Sequence, residues 1–242
     1  MTAVFVHGNP DTYHVWDLVR DRIGDVPSVA LSLPGFGCPI PDGFTATKEE
    51  YVAWLIAALE HQPEPVDLVG HDWGCLLTMR VASLRPELIR SWAAGSGPVS
   101  SAYVWHALAK IWQTPGDGEA WMDKLNPTAF AASLVGNGVP PELAHNTARR
   151  IDPLMKGCIL RLYRSAINVG AEWEPGLAKI KSPGLVLWGE RDQSCPVAFA
   201  DRLGHAAHAA RVITFADCGH WWQVTRPNET ADVLLDHWQR AR

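Results

Sequence analysis

An aspartate set between two apolar runs is the first residue of this chain that invites a chemical reading. The stretch VDLVGHDWGCLL (66–77) carries Asp72 at the centre of GHDWG, a small-x-Asp-x-Gly turn. A strand that ends in such a turn and continues as a helix lifts the central side chain above the sheet, at the helix N-terminus. A carboxylate in that place can attack carbon and form an ester, or it can do no more than cap the helix. Two other stretches favour the first role. WGERD (188–192) puts Asp192 just past an apolar run, and DCGHWWQ (217–223) puts His220 in a glycine-led loop. Asp72, Asp192 and His220 thus follow the order nucleophile, acid, base. HGNP (7–10) directly follows the first apolar run. The backbone N–H groups of Asn9 and Trp73 are therefore expected to serve a developing oxyanion.

These residues need a scaffold that brings distant segments to one edge. Buried strands are expected over 3–8, 28–35, 66–70, 89–97, 183–189 and 210–219, several of them closed by glycine. Helices are expected over 47–61, capped by Thr47 with Glu50 three residues on, over 75–87, and over 228–242. Continuous apolar strands separated by helices predict an α/β fold whose mostly parallel sheet is covered on both faces. Residues 98–175 break this rhythm with Gly-Pro turns and helix-like stretches. They read as a helical cap inserted between two parts of the core, 1–97 and 176–242, and lying over the strand ends.

Composition narrows the class. The chain has 242 residues, 47% of them hydrophobic and 19% charged, with a net charge of −5. That is enough for one sizeable core and lacks the concentrated basic surface of a nucleic-acid binder. No run of eighteen apolar residues predicts a membrane span, and the start has no basic, then apolar, leader pattern. The five cysteines show no close pairing, so reduced thiols and a cytoplasmic location are expected. No metal or organic cofactor is called for, and a monomer or small homo-oligomer is expected. Twelve tryptophans are many for this length, and those beside the motifs suit the walls of a cavity. His205 and His208 lack a third ligand nearby and read as surface residues. Glu190 stands at a poorer offset than Asp192 for the acid. His71 reads as structural packing beneath the turn. Cys75, although at a helix start that can lower a thiol pKa, reads as core.

HGNP, LPGFG, GHDWG, WGERD and CGHWWQ, in this order over nearly the whole chain, resemble the aspartate-nucleophile branch of the α/β-hydrolase superfamily, the epoxide hydrolases and haloalkane dehalogenases. The chain opens at the HGNP strand, without the hairpin that usually precedes it, and its insertion is short for an epoxide-hydrolase lid. The resemblance implies attack by Asp72, then hydrolysis of the ester by water that His220, oriented by Asp192, activates.

The two chemistries differ in the leaving group. A halide needs only N–H donors, and the resemblance assigns the Asn9 side chain and the Trp73 indole that role. An epoxide oxygen needs a proton, which a tyrosine with an ordinary pKa of about 10 can give. LRLYRSA (160–166) resembles the tyrosine-bearing lid segment of epoxide hydrolases and points to Tyr163, with Tyr103 as partner. CGHWWQVTRPNE and LPGFG also resemble the epoxide-hydrolase forms, and no acid follows the strand at 89–97. The expectation is therefore an epoxide hydrolase acting on a small apolar epoxide and water, with a haloalkane dehalogenase as the alternative.

Overall fold

The protein is described by a computed structural model covering residues 2–241; Met1 and Arg242, the outer ends of the expected first and last segments, lie outside the described residues. Six strands form one sheet: β1 (Ala3–Val6), β2 (Ser28–Leu31), β3 (Val66–His71), β4 (Ile89–Gly95), β5 (Gly184–Gly189) and β6 (Arg211–Phe215). Their spatial order is β2-β1-β3-β4-β5-β6, and every pairing is parallel. All carboxyl ends therefore open on one edge, where the motifs of the sequence converge.

The side-chain period of two divides the core. Val4, Val6, Leu68, Trp92, Ala94, Val186 and Trp188 pack on one face, beneath α2 (Lys48–Glu60), α3 (Trp73–Leu84) and α10 (Ala198–Ala206). Ala3, Phe5, Val69, Ala93, Leu185 and Leu187 pack on the other, against α1 (Asp17–Arg22), α11 (Trp222–Thr225) and α12 (Pro227–Arg240). The expected parallel sheet covered on both faces is what the structure has. The strands at 28–35, 89–97 and 210–219 stop short, at Leu31, Gly95 and Phe215, because their last residues turn into loops. β2 and β6 are also only partly buried, since each is an edge with one neighbour. The helix expected over 75–87 begins at Trp73, immediately after the turn, and gives way to a short 3-10 turn at Pro86–Leu88. Thr47 does cap α2, its hydroxyl accepting the Glu50 N–H at 3.4 Å, but the Glu50 carboxylate bonds Thr45 instead of closing a capping box.

Between β4 and β5 the chain runs through six helices and no strand: α4 (Ala107–Gln113), α5 (Asp117–Lys124), α6 (Pro127–Gly136), α7 (Pro141–Arg150), α8 (Pro153–Ser165) and α9 (Val169–Leu177). One polar clasp ties this segment to the core, and a second joins its beginning to its last helix. The buried Lys48 Nζ donates to the Ser165 carbonyl at 2.7 Å and pairs with Glu172 at 2.9 Å, while the Lys48 N–H donates to Ser165 Oγ. The Glu174 carboxylate accepts from Ser100 Oγ and the Ser101 N–H.

Candidate active site

Asp72 sits between β3 and α3 with φ 55° and ψ −120°, a conformation that costs a non-glycine residue about 1–3 kcal/mol. The surrounding glycines make this turn possible. A Cβ on Gly8 would stand 2.1 Å from Asp72 Oδ1, and one on Gly74 would stand 2.1 Å from the Val6 carbonyl. The close approach lets the Asn9 N–H donate to Asp72 Oδ1 at 2.7 Å, and the Trp73 N–H bonds the same carboxyl group. Asp72 Oδ2 faces His220 Nε2 at 3.7 Å. His220 Nδ1 lies 2.8 Å from Asp192 Oδ2, and Asp192 Oδ1 accepts the N–H groups of Ser194 and Cys195. Oδ1 of Asp72 is thus held by the Asn9 amide, and Oδ2 faces the imidazole.

The electrostatics follow from burial and crowding. Burial pushes the Asp72 carboxyl up from its ordinary pKa, against the pull of His220 and the two amides. Burial also disfavours the cationic form of His220, but Asp192, Asp72 and Asp11 outweigh it and raise its pKa to about 9. His71, whose Nε2–H donates to the His220 carbonyl at 2.8 Å, is held neutral by burial and by the neighbouring His220. It packs its ring edge-on against His220, so its packing role extends to fixing the loop that carries His220. His7 is likewise neutral, with its pKa lowered to about 4 by burial; its Nε2 accepts the Leu33 N–H and ties HGNP to LPGFG.

The two tyrosines part company. Tyr163, on α8, is buried, and its hydroxyl oxygen accepts the Asn9 side-chain amide at 3.3 Å and also hydrogen-bonds the Trp73 indole. Burial and the nearby Asp72 raise its pKa above the ordinary tyrosine value, against the pull of those two donors. Tyr103 instead donates to the Ser194 carbonyl at 2.9 Å and is committed there. A cavity of about 240 Å³ brings Asp72, Asn9, Tyr163 and His220 to one space, walled by His106, Trp112 and Phe130 of the inserted helices and by Trp221. Tyr103 is on the wall of a separate, much smaller void beside it. A groove of about 470 Å³ next to Asp67 and Arg90 is larger than the cavity but contains none of the constellation.

Sequence reasoning passed over Asp11. Its buried carboxylate accepts the Trp221 indole N–H at 3.0 Å, Trp221 stacks edge-on against His220, and burial pushes the Asp11 pKa up to about 7. It directly follows HGNP, but an aspartate after proline carries the signal of an ordinary turn. His205 and His208 are exposed, and Glu190 is exposed and bonded to Thr214. Cys75 is buried core, its thiol pKa raised by burial and by Asp72 despite the helix start.

A model of the alpha/beta hydrolase family matches residues 3–233. Among curated proteins, a haloalkane dehalogenase of Bradyrhizobium diazoefficiens is 26% identical over 160 residues, which is 58% of this chain and 51% of that protein. The dihydrolipoyllysine-residue acetyltransferase component of the acetoin cleaving system of Cupriavidus necator is 25% identical over 98% of this chain and 63% of that one. The chain therefore spans about half to two thirds of the length of these two relatives. The solved structure of a haloalkane dehalogenase from Bradyrhizobium elkani superposes with a TM-score of 0.80 at 21% identity, over 99% of this chain and 91% of that one. A meta-cleavage product hydrolase from Pseudomonas fluorescens gives the same TM-score at 20% identity, over 100% and 92%. At those identities the two structures share the fold with this chain.

Proposed function

The chain belongs to the alpha/beta hydrolase family, and from that premise we propose that it is an epoxide hydrolase working through an ester on Asp72. The observation that carries this reading is the Tyr163 hydroxyl, which lines the cavity with Asp72 and carries the Asn9 and Trp73 donors on its oxygen, where they stabilise a tyrosinate against the burial and the Asp72 charge that otherwise hold its proton on. Asp72 Oδ2 attacks an epoxide carbon from behind, and the C–O electron pair goes to the oxygen, which takes the proton of Tyr163. The negative charge moves from Asp72 to the Tyr163 oxygen, where two N–H donors stabilise it. His220 Nε2 then takes a proton from water, and the hydroxide adds to the Asp72 carbonyl carbon. The oxyanion forms on Oδ1, against the Asn9 and Trp73 amides. Collapse releases the alkoxide, which takes the proton from His220 and leaves as a diol. The proton of the regenerated Asp72 carboxyl returns through water to Tyr163.

Asp192 orients the base, and residues 98–175 act as the lid that walls off the cavity. Tyr103 has a secondary role, supporting the loop after Asp192 through Ser194. The reaction consumes only a small apolar epoxide and water and needs no cofactor.

The second reading is a haloalkane dehalogenase. The haloalkane dehalogenases among the relatives favour it, and so does the residue type at Asn9. It requires the Tyr163 hydroxyl to give up both N–H donors to the halide.

Intact-protein mass spectrometry of His220→Ala, incubated separately with epoxides and with haloalkanes, tests the choice. A gain equal to the whole epoxide, mapped to Asp72, is the expected result. A gain of an alkyl group with halide release would select the dehalogenase. No adduct from either set would remove the ester mechanism.

A further inference from the structure

We propose that Asp192, Cys195 and His220 form a binding site for one soft divalent cation, Zn²⁺ or Cd²⁺, and that its occupation arrests the base. One ligand atom from each of the three residues lies within 4.8 Å of the other two, and all three residues are buried. Tetrahedral zinc, with bonds of about 2.0–2.3 Å, sets its ligand atoms roughly 3.3–3.8 Å apart. The three side chains therefore need adjustments of no more than about 1 Å to meet that spacing. The Cys195 N–H donates to Asp192 Oδ1 at 2.8 Å, which holds the two residues side by side, and the thiol must leave its hydrogen bond with Tyr103 to bind the ion.

Donor chemistry selects the ion. Thiolate and imidazole together suit Zn²⁺ and Cd²⁺, whereas Mg²⁺ and Ca²⁺ want oxygen ligands. Three protein ligands leave a fourth position for water. His220 lines the main cavity, from which that water can come, and Cys195 lines a separate void of about 20 Å³ beside it. Ser194 lines both this void and the main cavity, so the site adjoins the space that receives substrate.

Binding is balanced by proton release. Burial and the two neighbouring carboxylates hold the Cys195 thiol protonated, so the metal–sulfur bond forms as the thiol proton leaves. If the ion takes Nδ1, the ring's proton moves to Nε2; if it takes Nε2, the same lone pair is used directly. In both cases His220 loses the lone pair that would accept a proton from water. The Asn9 and Trp73 amides on Asp72 are untouched. On the ester mechanism proposed above, the metal-loaded protein should form the Asp72 ester and fail to hydrolyse it, as His220→Ala would.

A Cd²⁺ titration of the reduced protein tests the site directly, read by bound metal and by the ultraviolet thiolate-to-cadmium band. The wild type is expected to take up one equivalent with the band, and Mg²⁺ to give neither signal. Cys195→Ala is expected to lose the band and bind that equivalent at least about tenfold more weakly, as is His220→Gln. His220→Gln carries the test if Cys195→Ala does not fold. Uptake by both variants equal to that of the wild type, or no uptake by the wild type, would overturn the proposal. Mass spectrometry of the Cd²⁺-loaded wild type with an epoxide separates the two ideas. Metal bound without ester leaves the site standing and counts against the ester mechanism; ester without bound metal does the reverse.

Discussion

The Asn9 side-chain amide reaches the Tyr163 hydroxyl oxygen at 3.3 Å across 154 positions of sequence, and the Trp73 indole bonds the same oxygen. Three groups, each of which could be read as contacting a leaving group, are thereby joined at the tyrosine oxygen. Tyr163→Phe is expected to slow ester formation from an epoxide by about 10²–10⁴-fold, the usual contribution of a positioned acid. Rapid-quench single turnovers on the His220→Ala background measure it. Unchanged rates would show that the leaving oxygen gets its proton elsewhere.

The His220 pKa should depend on whether Asp72 is charged. Three carboxylates raise it to about 9 in the free protein, and ester formation removes the charge of one of them. Asp72→Asn mimics that loss and is expected to lower the His220 pKa below about 9, as followed by imidazole NMR titration. The base works when deprotonated, so hydrolysis rises with pH through this pKa. The acid limb for the ester should accordingly lie below that of the free protein. An identical titration in the variant would mean that Asp72 is not coupled to the base.

Gly8 is expected to be irreplaceable for chemistry more than for folding. A Cβ there would stand 2.1 Å from Asp72 Oδ1 and displace the carboxylate from the Asn9 and Trp73 amides. Gly8→Ala should reduce ester formation by about 10²-fold, since a misplacement of about 1 Å suffices for that. Circular dichroism should remain that of the wild type. Full activity would mean the amide cradle can be reshaped freely.

The cap of α2 offers a check on stability away from the site. Thr47 Oγ accepts the Glu50 N–H at 3.4 Å, and Thr47→Ala should cost about 1 kcal/mol. For a chain of this size that lowers the melting temperature by roughly 2–4 °C, measurable by calorimetry. Catalytic rates at low temperature should not move.

Much of this arrangement was legible before the structure. β1, β3 and β5 are wholly buried, so each reads as a continuous apolar run closed by a sharp turn, and the turns carry Asn9, Asp72 and Asp192. The edge strands β2 and β6 were overextended because apolar loop residues beyond them continue the pattern without the pairing. Lid contacts were harder to see. Whether a tyrosine faces the cavity or a backbone carbonyl depends on how helices pack, and no periodicity distinguishes Tyr163 from Tyr103. Asp11 escaped for a related reason: its partner, Trp221, lies 210 residues away.

The clasp around Lys48 decides to which body Tyr163 belongs. Ser165, two residues beyond it on α8, is bonded both through its hydroxyl and through its carbonyl to the first residue of α2, a helix packed on the sheet. Helices α6 and α7, by contrast, contribute Leu134 and Ala144 to the opposite half of the core. Tyr163 is thus moored to the same rigid frame as Asp72. The proposed nucleophile and proton donor thus hang from one half of the core, whereas α6, which walls the cavity through Phe130 and Leu134, hangs from the other.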